Sequence, residues 1–102
     1  MRKIEEKMCE AVRNRTNFYG NNTSVVSTND FNSMTSKVYL VGNLIYKEEC
    51  GDAMFTLADW NSVTTRPRLR ALGIYVDGRL DANYLTYNGK RISINQWVSV
   101  EN

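Results

Sequence analysis

Apolar side chains recur at helical spacing along the first segment of the chain, residues 3–14. The positions on the apolar side are Ile4, Met8, Ala11 and Val12. Charged residues, Glu5 among them, occupy the rest of the surface, so the pattern predicts an amphipathic helix that lies across a sheet. Gly20, within the stretch 16–22, predicts the end of this helix and a turn of the chain.

The following segments alternate between runs of β-branched residues and polar stretches. Residues 23–28 predict a short strand, and residues 29–36 have the composition of a loop. The dipeptide Gly42-Asn43 separates two apolar runs and therefore predicts a hairpin with a two-residue turn. In the register that this turn imposes, Leu40 faces Ile45 and Tyr39 faces Tyr46.

Both faces of this predicted hairpin are largely apolar. One face comprises Val38, Leu40 and Ile45, and the other comprises Tyr39, Val41, Leu44 and Tyr46. Such a hairpin is typical of the middle of a sheet. We expect the helix to cover one face and a loop or a second copy of the chain to cover the other, so a homodimer is one hypothesis.

The second half of the chain predicts further strands and a short helix. Strands are predicted for residues 53–59 and 96–100, and hairpins for 74–80 and 84–94, with turns at Asp77-Gly78 and Asn88-Gly89. Between them, residues 65–72 predict a helix of about two turns, with Thr65 as N-cap, Pro67 in its first turn and Gly73 after its end. The residues of this helix expected to face inward are Leu69 and Leu72.

This order of elements predicts a single α+β domain over residues 1–102. An N-terminal amphipathic helix packs on an antiparallel sheet of hairpins, with the short second helix near 65–72. The longest apolar run, 38–41, is far shorter than the roughly 20 residues that a membrane span requires, and no secretory signal is recognisable. We therefore expect a cytoplasmic protein with no membrane contact.

Several chemistries lack the residues that they need. The chain contains no histidine and two cysteines, Cys9 and Cys50, so zinc sites and histidine-based catalysis have no support, and both thiols are expected to be reduced. The carboxylates left to pair or to hold Mg²⁺ are Asp52, Asp59, Asp77 and Asp81. Turn and strand-end positions favour local hydrogen bonding for most of them. No glycine-rich phosphate loop occurs. We expect no enzymatic activity and no cofactor.

Basic residues cluster in the predicted second helix, although the net charge of the chain is only +2. Arg66 and Arg70 are four positions apart and share a helix face, with Arg68 to one side. Together with the hydroxyls of Thr64 and Thr65, they are candidates for holding a phosphate at the helix start. The alternative is a surface helix whose arginines only keep it solvated.

A second group of cations lies near the C-terminal hairpin turns. Arg79, Lys90 and Arg91 alternate there with aromatic residues, of which Tyr84 and Tyr87 are the candidates for stacking on bases. Trp97 lies further along the same region. The alternative is that these aromatic side chains belong to the core of a small β-rich domain.

Two stretches carry a resemblance to a class of proteins. The run VYLVGNLIYK followed by FTLADWNSVTTRPRLRALG, with the opening MRKIEEKM, resembles small accessory proteins of tailed bacteriophages, particularly T7-like viruses. The resemblance implies a protein that acts by binding host defence or replication machinery. It supplies no catalytic residues, and the chain lacks the acidity of DNA-mimic inhibitors.

Four functional hypotheses follow, the last of which is a small virion or scaffolding component. The leading one is a non-enzymatic phage accessory protein that binds and modulates a host macromolecule, a host protein or a protein–nucleic-acid complex, in the cytoplasm of an infected bacterium. The first alternative is direct binding of nucleic acid through the same basic and aromatic residues. The second is a sponge for a nucleotide ligand, with Thr64, Thr65, Arg66 and an aromatic ring forming the pocket.

Overall fold

The computed structural model describes residues 3–20, 22–30, 33–49, 51–59, 64–79 and 82–100. The helices are α1 (Lys3–Asn14) and α2 (Thr65–Ala71). The strands are β1 (Phe18–Gly20), β2 (Thr23–Asp30), β3 (Ser33–Leu40), β4 (Asn43–Glu49), β5 (Asp52–Phe55), β6 (Tyr84–Tyr87), β7 (Lys90–Ser93) and β8 (Val98–Ser99).

The strands form two antiparallel sheets. The larger sheet has six strands in the order β1-β2-β3-β4-β5-β8, so that its first five strands follow one another as a meander and β8 returns to pair with β5. The smaller sheet is the hairpin of β6 and β7. The predicted class, an α+β fold with an N-terminal helix on an antiparallel sheet, is confirmed.

The two faces of the large sheet differ in what covers them. We call the face toward the helices the inner face; its buried side chains are Thr23, Val25, Val38, Leu40, Tyr46 and Phe55. Met8 is fully buried beneath α1, and Ala11 and Val12 join the same core, as the helical spacing predicts. None of the described helices is long and apolar enough to cross a membrane.

We call the opposite side of the large sheet the outer face. Residues that lie directly opposite one another in an antiparallel pair share a face, so the strand register defines its members. One row across the strands is Tyr19, Ser24, Tyr39 and Leu44, and the next is Val26, Lys37, Lys47 and Met54. All eight side chains are exposed or half-buried. No helix of the described part of the chain packs on this face.

The small sheet packs on the inner side of the large one. The ring of Tyr87 meets Phe55 edge to face, with 4.9 Å between ring centroids and 73° between ring planes. Leu85 and Ile92 are buried beside them. The helices and the small sheet therefore form one layer over the inner face, and the opposite side of the small sheet points away from the large sheet.

Two predictions for the N-terminal half are wrong. Residues 18–20 pair with β2 as a short edge strand, whereas the sequence predicted only a turn there. Residues 29–36 were predicted to be a loop, but β2 continues to Asp30 and β3 begins at Ser33. The register of this hairpin pairs Thr28 with Thr35 and Ser27 with Ser36, so polar β-branched and hydroxyl side chains extend the ladder.

The predicted register of the next hairpin is also wrong. The turn is Val41-Gly42 rather than Gly42-Asn43, and both of its residues have positive φ, 50° and 80°. Leu40 pairs with Asn43 and Tyr39 with Leu44, and a bulge then places Tyr46 opposite Val38. Because a bulge inserts an extra residue, Ile45 and Tyr46 are both buried, although Tyr46 was expected on the other face.

The C-terminal predictions have mixed outcomes. The 84–94 hairpin is confirmed, with Asn88 and Gly89 at φ 49° and 79° in its turn. The strand expected at 53–59 ends at Phe55, and the one at 96–100 covers only Val98–Ser99. No hairpin forms in the described part of 74–80; instead, Asp77 bridges to Thr86 of β6.

Helix α2 matches its prediction with two changes. It begins one residue after Thr64, which is the N-cap and makes no side-chain capping bond, and it ends before Gly73, whose φ of 89° suits a left-handed C-terminal position. Leu69 is fully buried, whereas Leu72 is only half-buried. The three arginines of this helix point in three different directions.

Candidate nucleic-acid interface

Arg68 lies in the interior instead of on the surface. Its Nη1 donates to the carboxylate of Glu5 over 2.9 Å, and its Nε donates to the hydroxyl of Thr23 over 3.0 Å. Both charged side chains are nearly inaccessible, at 4% and 7% exposure. The pair joins α2 to α1 and to the inner face of the large sheet. Arg68 was predicted as a binding residue and Glu5 as a surface residue, and burial corrects both.

Arg66 holds the segment that follows α2. Its two terminal nitrogens donate to the backbone carbonyls of Gly78 and Val76, over 2.7 and 2.8 Å. These bonds fold residues 74–78 back against the helix. The guanidinium therefore positions a backbone segment, whereas the sequence predicted that it would project from the surface together with Arg70.

Arg70 is the exposed arginine of this helix. Its guanidinium carbon lies 5.9 Å from the centre of the Tyr75 ring, which is 64% exposed. The two side chains border an open pocket of about 340 Å³, whose other lining residues are Glu5, Pro67 and Ala71. A cation beside an exposed ring is a pair that can hold a phosphate and stack on a base at the same time.

A second pair of this kind lies on the small sheet. The guanidinium carbon of Arg91 is 4.1 Å from the centre of the Tyr84 ring, and Tyr84 is 53% exposed. Thr86 lies opposite Arg91 in the ladder, and Asp77 lies opposite Thr86, joined by backbone bonds of 2.9 and 2.8 Å. These residues share the side of the small sheet that points away from the core.

Tyr75 belongs to the same side. Burial alternates along residues 74–77, with Ile74 and Val76 buried and Tyr75 and Asp77 exposed. This is the pattern of an extended segment, in which every second side chain shares a face. We call this surface the Arg–Tyr face; its residues are Arg70, Tyr75, Asp77, Tyr84, Thr86 and Arg91.

The Arg–Tyr face is long enough for more than one nucleotide. Tyr75 and Tyr84 are offset by four residue levels in neighbouring extended segments, which corresponds to about 14 Å between their Cα atoms. That is roughly four steps of a stacked strand at 3.4 Å per nucleotide. Asp77 contributes one negative charge between the pairs, and the exposed Arg79 and Lys90 add positive charge nearby.

The other predicted residues lie elsewhere. Thr65 is fully buried, Thr64 is half-buried, and Tyr87 is a core residue packed on Phe55. These placements leave neither Thr65 nor Tyr87 on a surface that a ligand can reach. Trp97 is half-buried on the far side of the molecule, where the ammonium of Lys47 lies 4.5 Å from its ring centre.

The carboxylates that could have formed a catalytic or metal site lie apart from one another. Asp52, Asp59 and Asp77 are each exposed on separate segments, and Asp81 lies outside the described residues. No group of three potential metal ligands occurs within the described ranges. Cys9 is a free thiol that donates to the carbonyl of Ala71, and burial raises its pKa. Cys50 lies outside the described residues.

A polar cluster beside the core contains a tyrosine with a raised pKa. The guanidinium of Arg15 donates to Glu48 over 2.8 Å, and the hydroxyl of Tyr46 donates to the same carboxylate. Burial and the nearby carboxylate raise the pKa of Tyr46 above its ordinary value. The cluster fastens the end of α1 to β4, so its role is structural.

Sequence reasoning missed three residues of the Arg–Tyr face, one of which, Asp77, was assigned to a turn. Tyr75 and Thr86 were each assigned only to a hairpin. The available signal is the alternation of Ile74, Tyr75, Val76 and Asp77. It predicts which of these side chains share a face, but it does not predict which strand lies beside this segment. The backbone bridge from Asp77 to Thr86 places this segment beside β6. It joins segments that the sequence assigned to two different hairpins.

Comparison with protein families gives one match. The family model described as Kyanoviridae Gp96 protein matches residues 1–99. The chain belongs to this family. It is therefore a cyanophage protein, which confirms the bacteriophage part of the resemblance noted above and lends no support to its T7-like part. Neither the curated proteins nor the solved structures gave a match.

Membership of a Kyanoviridae family sets the biological context of the Arg–Tyr face. The family description states no activity, so the functional conclusion depends on the geometry of this chain.

Proposed function

We propose that this phage protein acts by binding, without chemistry of its own, and that the Arg–Tyr face binds single-stranded nucleic acid in the cytoplasm of the infected cell. The observation that carries the proposal is the presence of two arginine–tyrosine pairs on one exposed face. Energetically significant cation–ring pairs occur about once per 70–80 residues. This one small face carries two cation–ring contacts, at 5.9 and 4.1 Å.

The chemistry of each pair fits an unpaired strand. An exposed tyrosine ring stacks on any base, and stacking contributes about 1–3 kcal/mol per base without regard to sequence. The neighbouring guanidinium neutralises a phosphate and releases its counterions. Bases inside a duplex are stacked on one another, so the rings of Tyr75 and Tyr84 favour a single strand.

A titration of the full chain tests this proposal. The probe is a fluorescein-labelled oligothymidine of about 12 nucleotides, followed by anisotropy at two salt concentrations. We expect binding that weakens with salt, and we expect the double variant Arg70→Ala/Arg91→Ala to lower the slope of log K against log salt by about 1.4. The charge-matched control is Lys3→Ala/Arg13→Ala, which removes two exposed cations of α1.

The outcomes separate the classes of partner. An absence of binding at low salt, or an equal loss in Lys3→Ala/Arg13→Ala, overturns the nucleic-acid proposal. The leading alternative is then a host protein, recognised by the same face in an anti-defence or host-takeover role. Affinity capture from host lysate with wild type and with Arg70→Ala/Arg91→Ala would identify such a partner.

A nucleotide ligand is a second candidate, and the pocket beside Arg70 and Tyr75 favours it. Its volume of about 340 Å³ lies within the range of small-molecule sites. This pocket replaces the predicted one around Thr64, Thr65 and Arg66. A nucleotide at 100 times its Kd is expected to raise the free energy of unfolding by about 2.7 kcal/mol, measured as a thermal shift. Tyr84→Ala would leave this shift unchanged, since Tyr84 is outside the pocket.

A further inference from the structure

An open pocket of about 340 Å³ lies in the groove between α1 and α2. Arg70 and Ala71 follow Pro67 by three and four positions in α2, so these lining residues share one helix face. Glu5 of the lining comes from α1. One turn further along α1, the thiol of Cys9 donates to the backbone carbonyl of Ala71 over 3.1 Å. The two helices are therefore fastened to each other beside the pocket, and the small side chain of Ala71 leaves room between them.

Glu5 is the acidic residue of this lining, and the fold holds its carboxylate in place. Its Oε2 accepts from Nη1 of Arg68 over 2.9 Å, and Nε of Arg68 donates to the hydroxyl of Thr23. The side chain of Glu5 keeps 7% of its surface exposed. A carboxylate has two oxygens with about four acceptor positions in total. Such a group can accept hydrogen bonds from a ligand as well as from an arginine.

Three side chains of the pocket match three parts of a nucleotide. The ring of Tyr75 can stack on a base, the guanidinium of Arg70 can bind a phosphate, and Glu5 can accept from donors on the edge of the base. Guanine presents two adjacent donors on its Watson–Crick edge, N1–H and the N2 amino group, which fit one carboxylate as a pair. Adenine and cytosine place an acceptor nitrogen beside their amino group, and thymine flanks its N–H with two carbonyls. Each of these would bring an acceptor against the carboxylate.

We propose that this pocket recognises guanine, with the base on the Tyr75 ring, its phosphate on Arg70, and N1–H and the N2 amino group donating to the carboxylate of Glu5. This inference rests on the proposed function, in which Arg70 and Tyr75 hold a phosphate and a base, and it adds a base preference at that position. Arg68 is a positioning residue, because it holds the carboxylate from within the fold. A free nucleotide and a guanine within a strand present the same groups to the pocket.

Ligands that differ by one hydrogen-bond donor test the proposal on the unaltered protein. The full chain is titrated calorimetrically with the 5′-monophosphates of guanosine, inosine, 1-methylguanosine and adenosine. Inosine lacks the N2 amino group, and 1-methylguanosine lacks N1–H. A hydrogen bond to a charged group contributes a factor of about ten or more to affinity, so we expect guanosine monophosphate to bind at least about tenfold more tightly than each of the others.

A second arm presents guanine within a strand. The oligothymidine of the anisotropy titration is compared with the same strand carrying one guanine in place of a central thymine, and we expect severalfold tighter binding of the second strand. A guanine preference in this arm alone assigns the pocket to a base within a strand, and a preference in the monophosphate arm alone assigns it to a free nucleotide. Equal binding in both arms overturns the guanine proposal.

A matched pair of variants locates the preference. Glu5→Gln keeps the size of the side chain and replaces one acceptor oxygen by a donor, so we expect guanosine to lose its advantage over inosine. Glu6→Gln, at the exposed neighbouring position of α1, should keep it. A preference that survives in Glu5→Gln overturns the assignment. Circular dichroism checks that Glu5→Gln is folded, and if it is not, the ligand series decides without it.

The results distinguish this inference from the proposed function. If the oligothymidine binds through Arg70 and Arg91 and neither arm shows a guanine preference, the inference fails and the proposed function stands. If no oligothymidine binds at low salt, the proposed strand binding fails. A guanosine preference among the monophosphates would then still support the pocket.

Discussion

Arg68 and Arg70 are two residues apart in α2 and have opposite environments. Arg68 is buried against Glu5 and Thr23, whereas Arg70 is exposed beside the Tyr75 ring. Two residues correspond to a rotation of about 200° around a helix, so neighbouring arginines in an alternating run face opposite sides. The difference shows that clustered cationic residues must first be sorted by the direction in which their side chains point. Only then can any of them be assigned to a binding surface.

Substitution of Arg68 and of Arg70 should differ most in the effect on the free energy of unfolding. Arg68→Ala removes the guanidinium that pairs with the buried carboxylate of Glu5, and breaking a buried ion pair in this way costs about 3–5 kcal/mol. That is a large fraction of the stability of a small domain. Urea denaturation followed by circular dichroism measures the change. An unchanged midpoint would show that the pair does not hold α1 and α2 together.

A second variant separates the ion pair from the packing around it. Arg68→Met combined with Glu5→Leu removes both charges and keeps much of the side-chain volume. We expect this double variant to lose less stability than Arg68→Ala, since no unpaired charge stays buried. A loss as large as that of Arg68→Ala would assign the effect to volume instead of charge.

Substitution of Arg66 should have an intermediate effect on the free energy of unfolding. Arg66→Ala removes two charge-assisted bonds to the carbonyls of Val76 and Gly78, and because this site is partly exposed we expect a loss of about 1–2 kcal/mol. The change should be local. The backbone N–H groups of Asp77 and Thr86 each donate to the other residue's carbonyl. Hydrogen exchange measured by NMR should quicken at these two amides before it quickens in the large sheet. Uniform quickening would contradict this local role.

Most of the fold could be predicted because residue patterns within short stretches of the sequence indicate its elements. The spacing of Met8, Ala11 and Val12 predicts α1, and Asn88-Gly89 predicts the last hairpin with the correct turn. The register around Val41 could not be predicted in the same way. A β-branched residue at φ 50° is disfavoured, so turn chemistry alone places the turn one residue later. The backbone N–H of Val41 donates to the carbonyl of Asn22, the residue just before β2. This hydrogen bond accompanies the observed turn.

The candidate site was predicted in part, for a physical reason. Arg70, Tyr84 and Arg91 are exposed, and their residue types together with turn proximity are visible in the sequence. Whether Arg68 faces outward depends on Glu5, which is 63 residues away in the chain. Periodicity assigned Glu5 to the solvent side, because no local pattern reveals a carboxylate that pairs with a distant helix. Long-range pairing of this kind is what the sequence alone does not supply.

Arg70 should give the smallest stability effect and the clearest binding effect. Arg70→Ala removes an exposed cation–ring contact, so we expect a change in the free energy of unfolding of less than about 1 kcal/mol. In the oligothymidine titration the same variant should bind more weakly, with a salt slope lower by about 0.7. Arg70→Lys keeps the charge but lacks the planar group that stacks, so its slope should stay near wild type while its affinity falls. A loss of stability in Arg70→Ala as large as that in Arg68→Ala would erase the contrast between the two arginines, and an unchanged titration would place the binding surface elsewhere.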